Sequence, residues 1–172
     1  MFRKKTSPYG GDCLVADQKI PRGSFVFPAD EWTDDERRGW HTLTIPEVMA
    51  LTENERSAFL TYSYDVDFER TVGTLDSELA AHGSNFVNHC CSPNLGFDSN
   101  GNVVAIKDII QGEELTMDYG TFVVNFDQDF ICDCGADNCR GPILKDDWRF
   151  LSRYGKLKFP RFIQEKIDQN HK

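Results

Sequence analysis

Six cysteines are the residues whose type and spacing point most directly to chemistry, and three of them lie close together. Cys132, Cys134 and Cys139 form a C-x-C-x4-C run whose intervening Gly135 and Asn138 allow sharp backbone turns. Zinc takes four ligands in a tetrahedron, so this run supplies three and a remote cysteine has to supply the fourth. A disulfide framework and buried, unreactive thiols are the alternatives, since the number of cysteines is even. We predict zinc, because cysteines adjacent in sequence or separated by one residue make poor disulfide partners.

Two other segments carry hydrogen-bonding side chains. Residues 85–94 read Asn-Phe-Val-Asn-His-Cys-Cys-Ser-Pro-Asn, in which Pro93 favours an extended or turned exit over a helix. Residues 112–120 read Gly-Glu-Glu-Leu-Thr-Met-Asp-Tyr-Gly, which predicts an edge strand that ends in Tyr119. Considered one at a time, His89 and Tyr119 are more often structural residues than catalytic ones. The order of the segments along the chain is more informative than either segment alone.

These segments, followed by the cysteine run, resemble the SET-domain family of protein lysine methyltransferases with its post-SET zinc segment. The matching motifs are Asn-His-x-Cys-x-Pro-Asn, Gly-Glu-Glu-Leu-Thr-x-Asp-Tyr and Cys-x-Cys-Gly-x3-Cys-Arg-Gly, within residues 85–94, 112–120 and 132–141. The resemblance implies a mainly β fold with α insertions, the β-clip-like SET fold. In that fold the Asn-His and Tyr segments thread past each other in a knot-like crossing, and a C-terminal post-SET segment follows.

The resemblance also implies what the crossing binds. In the family, a pocket for S-adenosylmethionine lies on one face of the crossing and a narrow lysine channel lies on the other. Tyr119 would be the catalytic residue, placed where cofactor and lysine meet. The residues implied to bind the cofactor are Gly11, Asp12, Cys13, Asn85, Asn88, His89 and Tyr119. Cys91 would complete the Zn²⁺ site, whose implied ligands are Cys91, Cys132, Cys134 and Cys139.

Short β-favouring runs dominate the chain, and helices are predicted in its middle and at its end. Two strand–turn–strand units share one spacing, which suggests related halves; the shared positions are Ala16, Ile20 and Gly23, and Ala105, Ile109 and Gly112. Capping boxes at Thr44 and Thr52 predict two helix starts. Further helices are predicted from Asp147 to Tyr154, closed by Gly155, and from Pro160 through Ile167.

A chain of 172 residues fits one compact domain. We divide it into a SET domain at residues 1–124, a post-SET zinc segment at residues 125–144 and a C-terminal helical extension at residues 145–172. The SET domain is expected to carry a helical insert at about residues 34–61. The extension is expected to cover the cofactor or the core with its apolar side chains, Trp148, Phe150 and Leu151; a solvated amphipathic helix is the alternative.

Charge is unevenly distributed along the chain, whose net charge is −9. Residues 145–172 hold eight Lys or Arg residues against four acidic ones, so the rest of the chain is strongly acidic. This acidic part of the chain argues against direct nucleic-acid binding and is compatible with a basic protein or peptide that carries the target lysine. The alternative is that the negative charge only keeps the protein soluble. We expect no membrane partner, because no apolar run approaches the roughly 20 residues of a membrane span. We also expect an intracellular protein, cytoplasmic or nuclear and not secreted, because Met1 to Lys5 lack the apolar stretch of a secretory signal.

The resemblance implies S-adenosylmethionine-dependent methyl transfer to the lysine side chain of a protein substrate, with histones among the candidates. Two alternatives stay open: a non-catalytic SET-like binding module and a SET-type enzyme that acts on a small molecule. Cys13 favours the binding module, because it stands where the family has the second Gly of a cofactor-binding Gly-x-Gly. Asn85 does so too, because it replaces an Arg that the family usually has. The retained Asn88, His89 and Tyr119 favour an enzyme.

Overall fold

The fold is built from short strands and short helices, as seen in a computed structural model that describes residues 1–7, 11–29, 39–81, 83–154 and 157–170. In these residues the strands are β1 (Phe2–Thr6), β2 (Asp12–Ala16), β3 (Phe25–Phe27), β4 (His41–Thr44), β5 (Tyr64–Asp65), β6 (Arg70–Gly73), β7 (Asn88–His89), β8 (Leu95–Phe97), β9 (Val103–Ala105) and β10 (Thr116–Met117). The α-helices are α1 (Ile45–Ala50), α2 (Glu53–Thr61), α3 (Ser77–Ala80), α4 (Asp147–Leu151) and α5 (Arg161–Asn170). Short 3₁₀ helices lie at Gly83–Phe86, Tyr119–Thr121 and Ser152–Tyr154. The predicted mainly β class with α insertions is confirmed.

The strands of the described residues form four small sheets. Strand β1 pairs with β2, while β3–β9–β8 and β4–β6–β5 form two three-stranded sheets, all with antiparallel neighbours. The remaining pair, β7 with β10, is parallel. Inward-facing side chains from several of these sheets share one main core, whose most deeply buried members include Ile20, Leu95, Val103, Ile109 and Leu115.

The two units with a shared spacing pair with each other. Ile20 and Ile109 exchange two backbone hydrogen bonds of 2.9 Å each. On either side, an equivalent bond runs from a glycine of one unit to an alanine of the other: from the Gly23 N–H to the Ala105 carbonyl oxygen, and from the Gly112 N–H to the Ala16 carbonyl oxygen. Both glycines have a positive φ, 86° and 85°, which residues with a side chain rarely adopt. The repeated spacing therefore corresponds to a local two-fold arrangement of backbone bonds.

Both predicted capping boxes are present, at the starts of α1 and α2. In each, the threonine hydroxyl accepts a hydrogen bond from the backbone N–H of the glutamate three residues later. The carboxylate of that glutamate, Glu47 or Glu55, accepts a hydrogen bond from the threonine backbone N–H. The range predicted as a helical insert, 34–61, also contains strand β4, so its helices begin only at Ile45. Residues 34–38 of that range lie outside the described residues. In the part of the chain that the structure describes, no helix has the length and apolarity needed to cross a bilayer.

Helices α4 and α5 form a second core against the end of the β-rich part. Its buried side chains are Val124, Trp148, Leu151, Phe159, Ile163 and Ile167. Helix α4 is shorter than predicted because a 3₁₀ turn replaces its last residues, and the predicted stop at Gly155 lies outside the described residues. Helix α5 is longer than predicted and ends at Asn170. Trp148 and Leu151 cover the core as expected, whereas Phe150 is 47% exposed.

Strands β7 and β10 bring the two motif segments side by side. Thr116 lies opposite Asn88, and Met117 lies opposite His89. The Cys90 N–H continues the pairing with a 2.9 Å hydrogen bond to the Met117 carbonyl oxygen. We call this parallel contact the crossing.

The buried Asn94 side chain holds the two segments of the crossing together. Its Oδ1 accepts the Thr116 N–H at 2.9 Å, and its Nδ2 donates to the Glu114 carbonyl oxygen at 2.7 Å. The same Nδ2 lies 3.1 Å from Glu113 Oε1. Because strands of two residues make few bonds of their own, this one carboxamide supplies much of the polar contact.

Replacing Asn94 with alanine should lower the free energy of unfolding by about 2 kcal/mol, because the Thr116 N–H and the Glu114 carbonyl oxygen lose their partner. Urea unfolding followed by circular dichroism measures the change. Asn100→Ala is the matched control: Asn100 is exposed in a turn, and we expect a change below about 0.5 kcal/mol. Equal losses in the two variants would show that Asn94 does not hold the crossing.

Candidate active site and metal centre

Four cysteine thiols meet at one place. The Sγ atoms of Cys91, Cys132, Cys134 and Cys139 all lie within 4.8 Å of one another. Sulfur atoms in a tetrahedral zinc site lie about 3.8 Å apart, a spacing that this cluster allows. The last three cysteines belong to a segment that we call the metal loop, residues 131–142. The four predicted ligands are thus brought together, and their thiols could hold a metal ion such as zinc.

Local backbone geometry shapes the metal loop. The Cys132 N–H donates to the Gly141 carbonyl oxygen at 2.8 Å and closes the loop at its base. Gly135 has a φ of 69°, which glycine adopts readily. The Asn138 side chain donates from Nδ2 to the Cys91 carbonyl oxygen at 2.8 Å. One bond therefore turns the loop on itself and the other fastens it to the remote ligand.

The protonation of these thiols controls the binding of a cation. Burial raises the pKa of both Cys91 and Cys132, so neither thiol ionises readily without a metal. Burial also disfavours the Cys134 thiolate, but hydrogen bonds, beginning with that of the Ala136 backbone, outweigh it and lower the pKa to about 6. A metal ion has to displace the remaining protons, so its affinity rises with pH.

A cavity of about 490 Å³ lies between the crossing and the metal loop, and we call it the thiol-side cavity. Its volume falls within the range of small-molecule sites. The lining includes Ser7, Asn88, His89, Glu114, Tyr119, Phe130 and Cys134. Because the metal loop supplies one wall, the shape of this cavity depends on where the four thiols hold the loop.

A second and smaller cavity, of about 60 Å³, has five aromatic side chains in its lining, and we call it the aromatic cavity. The lining includes Phe27, Tyr62, Tyr64, Asn85, Val87, Tyr119, Phe122 and Gln128. Tyr119 lines both cavities. A single side chain can therefore contact a molecule in each of them.

The Tyr119 side chain is fixed by one hydrogen bond and by ring packing. Its hydroxyl donates to the Val87 carbonyl oxygen at 3.0 Å. Its ring meets those of His89 and Phe122 edge-on, with centroids 5.3 and 5.4 Å away. Burial, followed by the nearby Glu114 carboxylate, raises the pKa of the Tyr119 phenol well above its usual value. The phenol therefore stays protonated.

His89 connects the tyrosine to the cysteine cluster. Its Nδ1 accepts the Tyr119 backbone N–H at 3.1 Å. Burial lowers the pKa of His89 to about 4, so the ring is neutral and its hydrogen lies on Nε2. That Nε2 lies 3.3 Å from the Cys91 Sγ. One imidazole thus bonds to the crossing on one side and to the thiol cluster on the other.

Asn88 connects strand β2 to the crossing. Its Nδ2 donates to Glu114 Oε1 at 2.8 Å and lies 3.3 Å from the Asp12 carbonyl oxygen. The first segment predicted to bind the cofactor thus reaches the thiol-side cavity through the Asp12 backbone. Cys13 is only 1% exposed, so its side chain belongs to the core. Gly11 has a φ of 71°, which suits a glycine there.

Asn85 lies apart from the other residues that were predicted to bind the cofactor. It lines the aromatic cavity, whereas Asn88 and His89 line the thiol-side cavity. Its Nδ2 donates to the Ala80 carbonyl oxygen at 2.9 Å, which fixes the orientation of the carboxamide.

Arg140 is a site residue for which the sequence provided no prediction. Its guanidinium bonds to both carboxylate oxygens of Asp118, at 2.7 and 2.5 Å, and to Asp147 at 3.0 Å. Its backbone N–H lies 3.4 Å from the Cys91 Sγ. Arg140 therefore joins the metal loop to the crossing and to α4. Its place in the Cys-Arg-Gly motif, directly after Cys139, was the available signal.

The chain belongs to the SET domain family, since the model of that family matches residues 11–120. It is similar to histone-lysine N-methyltransferase SUV39H2 of Xenopus tropicalis, with 32% identity over 148 residues, 72% of this chain and 34% of that protein. The Homo sapiens SUV39H2 is 32% identical over 127 residues, 56% of this chain and 31% of that protein. Histone-lysine N-methyltransferase trithorax of Drosophila melanogaster is 35% identical over 86 residues, 46% of this chain and 2% of that protein.

The chain spans about a third of the length of the SUV39H2 proteins that it matches. The predicted family is confirmed, and the four-cysteine cluster is consistent with its post-SET segment.

Replacing Arg140 with methionine should lower the free energy of unfolding by about 3 kcal/mol or more, because it leaves the buried Asp118 carboxylate without its cation. The Asp118 side chain is 1% exposed and that of Arg140 is 14% exposed. Arg149→Met is the matched control, since Arg149 pairs with Asp146 on the surface, where both side chains are more than half exposed. We expect less than about 1 kcal/mol for the control. Urea unfolding compares the two, and similar losses would contradict a special role for Arg140.

Proposed function

We propose that this protein transfers a methyl group from S-adenosylmethionine to the lysine side chain of a basic protein, with Tyr119 as the catalytic residue. The observation that carries the proposal is that Tyr119 lines both the thiol-side cavity and the aromatic cavity. Two cavities that share one side chain suit a reaction between two molecules that bind separately. The similarity to proteins named histone-lysine N-methyltransferases supports lysine as the acceptor.

The thiol-side cavity is the proposed site of S-adenosylmethionine. The cofactor supplies an electrophilic methyl group on a positively charged sulfur. The Glu114 carboxylate provides a negative charge in the lining, and its bond from Asn88 keeps it in place. Phe130 is partly exposed in the same cavity and offers a face for stacking. These groups fit a cationic ligand that also carries an aromatic ring.

The aromatic cavity is the proposed channel for the target lysine. It is small and has five aromatic rings in its lining, so it suits an unbranched aliphatic chain. Burial beside Phe27, Val87 and Phe122 would lower the pKa of a lysine amine, which favours the neutral form that attacks the methyl group. The amine gives its proton to solvent first, and the new N–C bond then forms as the S–C bond breaks. The residues of the channel exclude water and position the amine.

Tyr119 is proposed to orient the amine. Its hydroxyl hydrogen is already donated to the Val87 carbonyl oxygen. The phenol oxygen is therefore left to accept an N–H bond from the lysine amine, which directs the nitrogen lone pair toward the thiol-side cavity. The raised pKa of the phenol keeps Tyr119 neutral, so it does not hold the lysine in its ammonium form.

The charge of the chain supports a basic acceptor. The net charge of −9 attracts Lys- and Arg-rich segments from a distance and raises their association rate. Histones are basic proteins of this kind and are the first candidates. Because the metal centre needs reduced thiols, we propose that the protein works in the cytoplasm or the nucleus.

Incubation with methyl-labelled S-adenosylmethionine and purified core histones should transfer label to lysine, as read by mass spectrometry. Tyr119→Phe should lower kcat about 100-fold, because the amine loses the oxygen that orients it. The same variant should bind S-adenosylmethionine with nearly unchanged affinity in a calorimeter. Full activity of Tyr119→Phe would refute the role given to its hydroxyl.

The same experiment separates the proposal from its alternatives. A non-catalytic binding module would give no heat with S-adenosylmethionine at any concentration. A small-molecule methyltransferase would bind the cofactor and leave histones unlabelled, while a cell extract of low molecular weight compounds would take up the label.

We further propose that the four thiols hold one structural zinc ion. All four donors are sulfur, which zinc favours in closed structural sites, and no position is left for a substrate. The ion would fix the metal loop as the wall of the thiol-side cavity. Zinc would thus support cofactor binding without taking part in the transfer.

Cys139→Ser should reduce the zinc content from one ion per chain to well below half, as measured by plasma mass spectrometry. It should also weaken binding of S-adenosylmethionine at least tenfold in a calorimeter, because the cavity loses a fixed wall. Cys90→Ser is the matched control, since Cys90 lies next to a ligand but outside the cluster, and it should retain its zinc. If Cys139→Ser loses zinc and keeps its cofactor affinity, the metal does not shape the cavity.

A further inference from the structure

Two carboxamides lie in the aromatic cavity beside the proposed path of the lysine. Asn85 reaches it from the 3₁₀ helix Gly83–Phe86, and Gln128 reaches it from the segment that follows the crossing. Both side chains are half-buried. They lie 43 residues apart in the sequence, so the fold has to bring them to the same cavity.

The Asn85 carboxamide has an acceptor oxygen that its own hydrogen bond does not use. Its Nδ2 is engaged by the Ala80 carbonyl oxygen at 2.9 Å, which leaves Oδ1 as the open atom. Among the described residues, nothing bonds to that Oδ1. A half-buried acceptor without a protein partner can be satisfied by water or by a ligand.

Gln128 is positioned by its backbone. Its N–H donates to the Ile143 carbonyl oxygen at 2.9 Å. Ile143 is buried against Cys91 and Cys132, so the thiol cluster determines where Gln128 sits. In the described part of the chain, no hydrogen bond engages the Gln128 side-chain amide. Both its donor and its acceptor are open to a ligand.

We propose that Asn85 and Gln128 bind the acceptor protein through hydrogen bonds to peptide groups of its main chain near the target lysine. This inference rests on the proposed function. A carboxamide carries the same donor and acceptor as a peptide group, so it can bind a main chain whatever the neighbouring side chains are.

Neutral side chains also suit this position electrostatically. A carboxylate there would stabilise the ammonium and oppose the loss of its proton. Two amides bind the acceptor without this effect.

The test compares steady-state rates on core histones for Asn85→Leu and Gln128→Met, which keep side-chain size and remove hydrogen bonding. Each should raise KM for histone about fivefold and change kcat less than twofold. The affinity for S-adenosylmethionine, measured by calorimetry, should be unchanged. Asn100→Leu and Gln169→Met are matched controls at exposed positions and should leave all three quantities unchanged.

Asn85→Asp separates binding of the acceptor from a structural role. It keeps oxygen acceptors at this position but loses the bond to the Ala80 carbonyl oxygen. If the open oxygen binds the acceptor, KM for histone stays at or below its original value. A KM as high as that of Asn85→Leu would mean that the bond to Ala80 is what matters, and would overturn the inference.

Two further outcomes separate this inference from the proposed function. If the unsubstituted protein methylates neither histones nor an array of lysine-centred peptides, the proposed function fails and the inference fails with it. If it methylates them and the Asn85 and Gln128 variants keep their KM, only the inference fails. A loss of S-adenosylmethionine affinity in Asn85→Leu would instead assign this residue to the cofactor.

Discussion

The parallel contact between Asn88–His89 and Thr116–Met117 is the constraint on which the rest of the structure depends. Two residues on each strand make too few backbone bonds to hold by themselves, so side chains reinforce the contact. The Asn94 side chain does so by accepting the Thr116 N–H. The chain then turns at Tyr119–Thr121, and the Tyr119 N–H donates a hydrogen bond to the His89 ring. The same few residues thereby close one cavity on each side.

The metal loop is attached to the crossing by charge as well as by thiols. Asp118 directly precedes Tyr119 and is buried, and a buried carboxylate is costly unless a cation pairs with it. Arg140 supplies that cation from the metal loop and extends to Asp147 at the start of α4. Gly120 permits this close approach, because a Cβ there would lie 2.7 Å from the Asp147 Cβ. Asp118 therefore stabilises the site, and Arg140 neutralises its negative charge.

Local features were predictable from the sequence, and long-range ones were not. The caps at Thr44 and Thr52 involve residues three apart, so the sequence contains all that they need. Three cysteines of the cluster lie within eight residues, but the fourth, Cys91, required the family motif, because spacing alone did not distinguish it from other cysteines. Strand β4 was missed inside a range expected to be helical, since its pairing partner β6 lies about thirty residues away. The side on which Asn85 faces depends on its bond to Ala80, which no periodicity indicates.

The metal loop affects both cavities, and this explains why a structural metal suits such a site. Cys134 lies in the wall of the thiol-side cavity. Ile143, packed on Cys91 and Cys132, sets the backbone of Gln128 and so the border of the aromatic cavity. Methyl transfer depends on bringing two reacting atoms into line, and small displacements of either partner are costly. A metal bound by the four thiols would fix one wall of each cavity relative to Tyr119 and so keep the two proposed ligands aligned, without contributing to the chemistry.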